Sequence, residues 1–361
     1  MMRCFTISVA FILALLIFAI TLSPSIEVTE IAVEQLQENE IRTLKLVEAM
    51  RINDGDEFFF KSPYQTIIAP DGSIIVNEGN KLYRFDSQGE FIEDLFREGE
   101  GPGEMKQIGS ILIIANRIII YERTKNKIIE LNMDGDFIRE QKLEKKRFTD
   151  VLAYYRDKYY FVDWIPQVYK GKEGIISFNQ NLYVVGKDGT ANKSGLNFPT
   201  MASKVSGGYQ IINKLIWVDS NSRFLYICHT PDYSIKRLDL MDMEIISVLK
   251  RDYKRVKVDD ADERKKWYPV EFHNDIQKLL LHKTNLWVVT STIQKNRGIL
   301  VDVYSSAGNL VDNFYLPIGY SRLDGILFWS MTISDNDLFM FNENEDSTLS
   351  LVKYNIPAPL K

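Results

Sequence analysis

Leu82-Tyr83-Arg84-Phe85-Asp86-Ser87-Gln88-Gly89-Glu90-Phe91-Ile92 returns further along the chain as Ile128-Ile129-Glu130-Leu131-Asn132-Met133-Asp134-Gly135-Asp136-Phe137-Ile138. Phe85 aligns with Leu131, Gly89 with Gly135 and Phe91 with Phe137, each 46 residues on. Both copies alternate apolar and polar residues, turn at a glycine and resume with an aromatic. This is the pattern of an antiparallel hairpin, in which glycine supplies the positive φ that other residues reach only with strain. A hairpin recurring every 40 to 50 residues or so marks a propeller blade or another repeat array.

Working outward from these copies, six units can be laid end to end. The first runs through Tyr64–Ala69, Ser73–Val76 and Lys81–Asp86, and the second through Ile111–Ala115, Arg117–Tyr121 and Lys127–Leu131. The third has Val151–Tyr155, Tyr159–Val162 and Leu182–Val185, with an excursion from Asp163 to Gly174 and its glycine at Gly189. The fourth, Ile211–Val218, Phe224–Ile227 and Ser234–Leu238, lacks the glycine in Asp239-Leu240-Met241-Asp242. The fifth, Gln277–Leu281, Leu286–Val289 and Leu300–Tyr304, regains it at Gly308, and the sixth is Ile326–Ile333, Asp337–Phe341 and Leu349–Tyr354.

The sixth unit stops one strand short of the others. An open sheet edge invites aggregation, so the missing strand is expected from elsewhere. The alternating segment Ile41–Met50 is the donor expected to pair with Leu349–Tyr354 and clasp the two ends of the chain together. The predicted fold is therefore all-β: a six-bladed β-propeller of four-stranded antiparallel blades over residues 41–361, closed by an N-terminal strand.

Ahead of the ring, residues 1–25 read as an export signal, with Arg3 before the apolar run Val9–Ile20 and small residues Ser23 and Ser25 at a cleavage site. An uncleaved anchor from Phe5 to Leu22 is the alternative reading. Either way the domain is expected outside the cytoplasm, periplasmic or extracellular. Residues 26–40 read as a linker, a tether or short helix. Removing residues 1–25 deletes one Arg and no acid, taking the net charge from −5 to −6 and arguing against a nucleic-acid partner. Cys228 is then the one cysteine left, so no internal disulfide holds the fold.

Gly99-Glu100-Gly101-Pro102-Gly103-Glu104-Met105 follows the first hairpin. With the repeat spacing, it resembles the secreted bacterial six-bladed β-propeller family, related in shape to NHL-repeat and TolB-like propellers, over residues 41–355. That family commonly has Gly-x-Gly-Pro-Gly-Glu-aromatic after its first blade; here Met105 replaces the aromatic. The resemblance implies the fold and leaves the activity open. As a phosphate loop the segment fails, because Glu104 stands where a third glycine belongs; it reads as a tight connection between blades.

Candidate sites come from the ends of the second strands. Asn77, Glu122, Asp163, His229, Thr290 and Asn342 each sit at or just past the end of an apolar run, and should gather toward one face of a ring. Asn77, Glu122, Asp163 and Asn342 are oxygen donors of the type a divalent cation takes, Ca²⁺ or Mg²⁺. This is similar to lactonase-type propellers, which hold a metal with Glu, Asn and Asp from different blades. Otherwise no cofactor is expected. Within the aromatic cluster Tyr154 to Tyr169, Trp164 and Tyr169 fall in the excursion and, with His229, are the expected contacts for a ligand. Cys228 and His229 are strand neighbours facing opposite ways, so they form no catalytic dyad.

Three functions follow as expectations. One is a non-enzymatic, monomeric binding scaffold taking a peptide, protein or glycan on one face. Another is a metal-assisted hydrolase, lactonase or lyase using Glu122, Asp163 and Asn342. The last is a structural module tethered at the membrane.

Overall fold

The computed structural model describes residues 29–33, 41–144, 147–163, 175–205, 208–211, 215–219, 223–229, 231–258, 271–318 and 330–357. Among them every regular element is a strand, and the strands form six sheets. Blade one is Gln65–Ile68, Ile74–Asn77, Leu82–Phe85 and Phe91–Asp94, hydrogen-bonded in that order and antiparallel throughout. Blade two repeats the order with Ile108–Ile114, Arg117–Glu122, Lys127–Asn132 and Phe137–Lys142. The 46-residue repeat is thus one blade.

Gly89, Gly135, Gly189 and Gly308 all take φ between 80° and 87° at the turn between third and outer strands. Blade four, which has no glycine there, places Met243 in the left-handed region at φ 57°. The hairpin still forms, because the flanking pairs Asp239↔Glu244 and Leu238↔Ile245 hold the turn against that local cost.

Three blades carry a fifth strand. In blade three the third and outer strands lengthen into a ribbon, Ile175–Val185 against Ala191–Val205, followed by Gly208–Ile211. The segment read as the start of blade four, Ile211–Val218, is therefore divided: Ile211 ends blade three and Leu215–Asp219 begins blade four. The other fifth strands come from the N-terminal segment. Thr29–Val33, read above as tether or helix, is a strand running parallel to the outer strand of blade four, Glu244–Arg251. Arg42–Thr43 runs parallel to the outer strand of blade five, Leu310–Leu316.

Val47–Ile52 then pairs antiparallel with Leu349–Asn355 and completes blade six. The clasp forms as expected, although its register starts later than Ile41 because Arg42–Thr43 serves blade five. An Arg42–Asp312 ion pair at 2.5 Å anchors the crossing, and Leu44 is buried with Leu316, Leu338 and Ile356.

Alternation along each strand puts apolar side chains on both faces of every blade, so the core lies between blades. The buried apolar residues fall into one large cluster at each boundary, for instance Ile75, Leu95, Met105 and Ile120 between blades one and two. Between blades six and one, Phe58 and Phe60 from the segment leading into blade one join Phe85 and Phe341, with ring centroids 4.8 to 5.9 Å apart. Cys228 is one such filler, in the cluster between blades four and five with Tyr233, Leu249 and Ile276; burial pushes its thiol pKa up. Residues 1–25 lie outside the described residues, as do Asp259 to Lys266, read from their charge order as a short helix.

Candidate functional site

The second strand of each blade ends where the inner strand begins, which defines one end of the ring. Asn77 pairs with Gln65, Glu122 with Ile108, Asp163 with Phe148, His229 with Leu215 and Thr290 with Ile276. This register puts the five residues at one end of their blades.

Each is held by its own surroundings. Asn77 Oδ1 accepts the Gly79 amide at 2.8 Å. Glu122, fully buried, accepts four backbone amides, from Lys106, Gln107, Thr124 and Lys125. Asp163 accepts the amide and the side chain of Asn181 at 2.7 and 2.8 Å. Thr290 donates to the Leu300 carbonyl at 2.9 Å, and Asn342 donates to the Tyr354 hydroxyl at 2.5 Å. Glu122 in particular is committed to backbone donors that would otherwise lie buried without partners. Among the described residues no three His, Cys, Asp or Glu side chains are placed to hold a metal ion.

His229 is half-buried, with its Nε2 3.4 Å from the Thr200 hydroxyl of blade three; burial and Lys236 lower its pKa to about 4. Trp164 and Tyr169 lie outside the described residues. The glycine-rich connection is a tight turn as read: Glu104 accepts the Gly101 amide at 2.7 Å, and Glu100 pairs with Lys106 and Lys125, which hold its pKa down at about 2. Met105, in the position of the family's aromatic, is buried between blades one and two.

At the same end of the ring an open cleft of about 450 Å³ lies between blades four and five. One wall is the turn Asp232–Ser234, between the second and third strands of blade four. The other is the crossover from Lys250 to Arg255, which leaves blade four's outer strand for blade five. Asp275, just before blade five's inner strand, completes the lining.

Tyrosines and a buried ion pair form the base. The Tyr233 hydroxyl donates to Asp302 Oδ2 at 2.7 Å and lies 2.9 Å from the Tyr304 hydroxyl. Arg251 donates to the same carboxylate oxygen, with its side chain 7% exposed and that of Asp302 fully buried. Arg251 Nε and Asp302 Oδ1 make no hydrogen bond among the described residues. The Tyr253 ring packs 5.5 Å from that of Tyr233, and its hydroxyl reaches Thr292 Oγ1 at 2.6 Å. Arg255 Nε donates to Asp275 Oδ1 at 3.1 Å. Burial raises the Asp275 pKa to about 6 despite that guanidinium. Such a lining presents charged and hydrogen-bonding groups around the cleft.

From sequence, residues 250–257 read as a solvated basic surface. Lys250, Asp252, Lys254 and Arg255 are indeed exposed, whereas Arg251 is not. Nothing in the local sequence separates Arg251 from its neighbours, because its partner Asp302 lies 51 residues away.

The six-bladed β-propeller family DUF5128 matches residues 27–278. The chain belongs to that family. None of the curated proteins matches this DUF5128 propeller. Among solved structures it is similar to a Bacteroides fragilis NCTC 9343 protein described as exported, at 13% identity and a TM-score of 0.57, covering 92% of this chain and 100% of that one. It is also similar to a DUF4221-family protein from Bacteroides vulgatus ATCC 8482, at 8% identity and a TM-score of 0.56, covering 88% and 99%. At these identities the likeness shows the fold alone.

Proposed function

We propose that this DUF5128 propeller is an exported binding module that holds a segment of a peptide or protein in the cleft between blades four and five. The observation that carries this reading is the cleft itself, an open concavity whose base is tied down by Arg251, Tyr233 and Asp302 while its rim presents Lys250, Asp252 and Arg255 to solvent. A fixed base beneath a polar rim is the arrangement of a preformed recognition site. Blade edges and loops supply such surfaces without chemistry of their own. Export rests on the signal-like residues 1–25 and on the Bacteroides fragilis neighbour, and N-terminal sequencing of protein secreted by an expressing cell should then begin at Ile26.

The test is to probe peptide and glycan arrays with the full chain and with Tyr253→Ala and Arg255→Ala. Peptide signals that both variants lose support the reading. Signals that survive both substitutions sink it. Glycan signals lost in the variants would keep the cleft and replace the ligand class.

A further inference from the structure

Resting on that reading, we infer that Arg255 takes a carboxylate of the bound segment on the free edge of its guanidinium. The crossover that carries Arg255 is fixed first at its backbone. His273 donates its amide to the Val256 carbonyl at 2.9 Å and Val258 donates to the Glu271 carbonyl at 3.0 Å, with Lys257 opposite Phe272. The side chain is fixed as well. Its guanidinium carbon lies 4.7 Å from the centre of the Phe272 ring, and its Nε donates to Asp275 Oδ1 at 3.1 Å. Arg255 therefore meets a ligand with little freedom left to lose.

Asp275 offsets the charge of Arg255 but occupies only one edge of the planar group. Among the described residues the guanidinium makes no other hydrogen bond, and the side chain is 40% exposed in the lining of the cleft. The edge formed by Nη1 and Nη2 carries parallel N–H donors, the spacing that a carboxylate accepts with both oxygens. A backbone carbonyl would take these donors with one oxygen and no charge. Two carboxylates on different edges of one guanidinium each lie closer to it than to one another, so attraction exceeds repulsion. Asp275 thus weakens the hold on the ligand's carboxylate without excluding it.

The experiment measures binding of the full chain to short acetylated peptides of equal length on a Gly-Ser background. One has a central Glu and an amidated end, one a central Gln and a free C-terminal carboxylate, and one a central Gln and an amidated end. At least one carboxylate peptide is expected to bind about tenfold more tightly than the neutral one, a difference of about 1.4 kcal/mol. Which of the two does so tells a side chain from a chain end. Arg255→Gln should abolish the preference. Asp275→Asn keeps an oxygen for Nε and removes the competing charge, so it should tighten carboxylate binding severalfold and leave the neutral peptide unchanged. A thermal melt of each variant checks that the fold is kept.

Neutral-peptide binding as tight as that of both carboxylate peptides overturns the inference while leaving the cleft as the binding site. A carboxylate preference that survives Arg255→Gln overturns it and places the carboxylate elsewhere. Carboxylate binding that is unchanged or weaker in Asp275→Asn also overturns it, because a carboxylate on the same guanidinium must feel that charge. Failure of all three peptides overturns it too, and the arrays then decide the broader reading by themselves.

Discussion

Glu122, the last residue of blade two's second strand, accepts the backbone amides of Lys106 and Gln107, by which the chain enters that same blade. Glu78 does the equivalent in blade one, accepting the Lys61 amide at 3.0 Å. The carboxylates at this end of the ring therefore fasten the crossovers between blades. A residue type that suits metal binding is here used to satisfy backbone donors that would otherwise be buried without partners.

Glu122→Ala leaves four amides without their acceptor. The expected loss of stability is about 2–4 kcal/mol, measured by urea denaturation. The loss should be the same with a chelator as with added Ca²⁺. A variant that is destabilised only when Ca²⁺ is present would return Glu122 to a ligand role.

Burial raises the Glu78 pKa from 4.5 to about 6, against the pull of the Lys61 and Ser62 amides. The folded chain then binds this proton more tightly than the unfolded chain, so the contribution to stability grows as pH falls from above 6 toward 4.5. Glu78→Gln should remove that part of the profile. Relative to the parent, the variant should gain on the order of 1 kcal/mol at pH 8 and lose the gain by pH 4.5. Parallel pH–stability curves for the two proteins would refute the assignment.

The Arg251–Asp302 pair joins blades four and five beneath the cleft. Asp302→Ala leaves the buried guanidinium without its carboxylate and the Tyr233 hydroxyl with Tyr304 alone, for an expected cost of about 3–5 kcal/mol. The double variant Arg251→Met, Asp302→Leu should cost clearly less, since no buried charge is left alone. A double variant as unstable as the single would show that packing, and not the lone charge, sets the cost.

Deletion of residues 1–40 removes the strand on blade four and keeps the clasp on blade six. Such a chain is expected to stay folded, with a lower melting temperature and a newly open edge. Deletion of residues 1–53 also removes Ile52, 5% exposed in the cluster with Phe85, Phe341 and Leu351, and opens the ring. That chain should aggregate on size-exclusion chromatography. A soluble monomer would show that the ring closes without its clasp.

The blades were legible in the sequence because their determinants are local. Phe85 and Leu131 are buried, and Gly89 and Gly135 sit at positive φ, as the repeat alone required. The missing outer strand of blade six also pointed to its donor, since Ile41–Met50 alternates and the C-terminal unit was one strand short, although the strand that pairs is Val47–Ile52. The site was far less legible. Reading strand ends placed Asn77, Glu122 and Asp163 at the right end of the ring but not in the cleft, because strand periodicity fixes height along the blade and says nothing of what each side chain bonds to.

By itself, the sequence determined the number of blades, their order and the clasp. Alternation, turn glycines and the count of strands all act within a few residues of one another. Only the tertiary structure decided that Thr29–Val33 and Arg42–Thr43 add parallel strands to blades four and five, because edge pairing uses backbone groups that every residue carries. Only it decided the cleft as well. Tyr233, Arg251 and Asp302 come from three strands and turns on two blades, and their meeting depends on how those blades pack, which no stretch of sequence encodes alone.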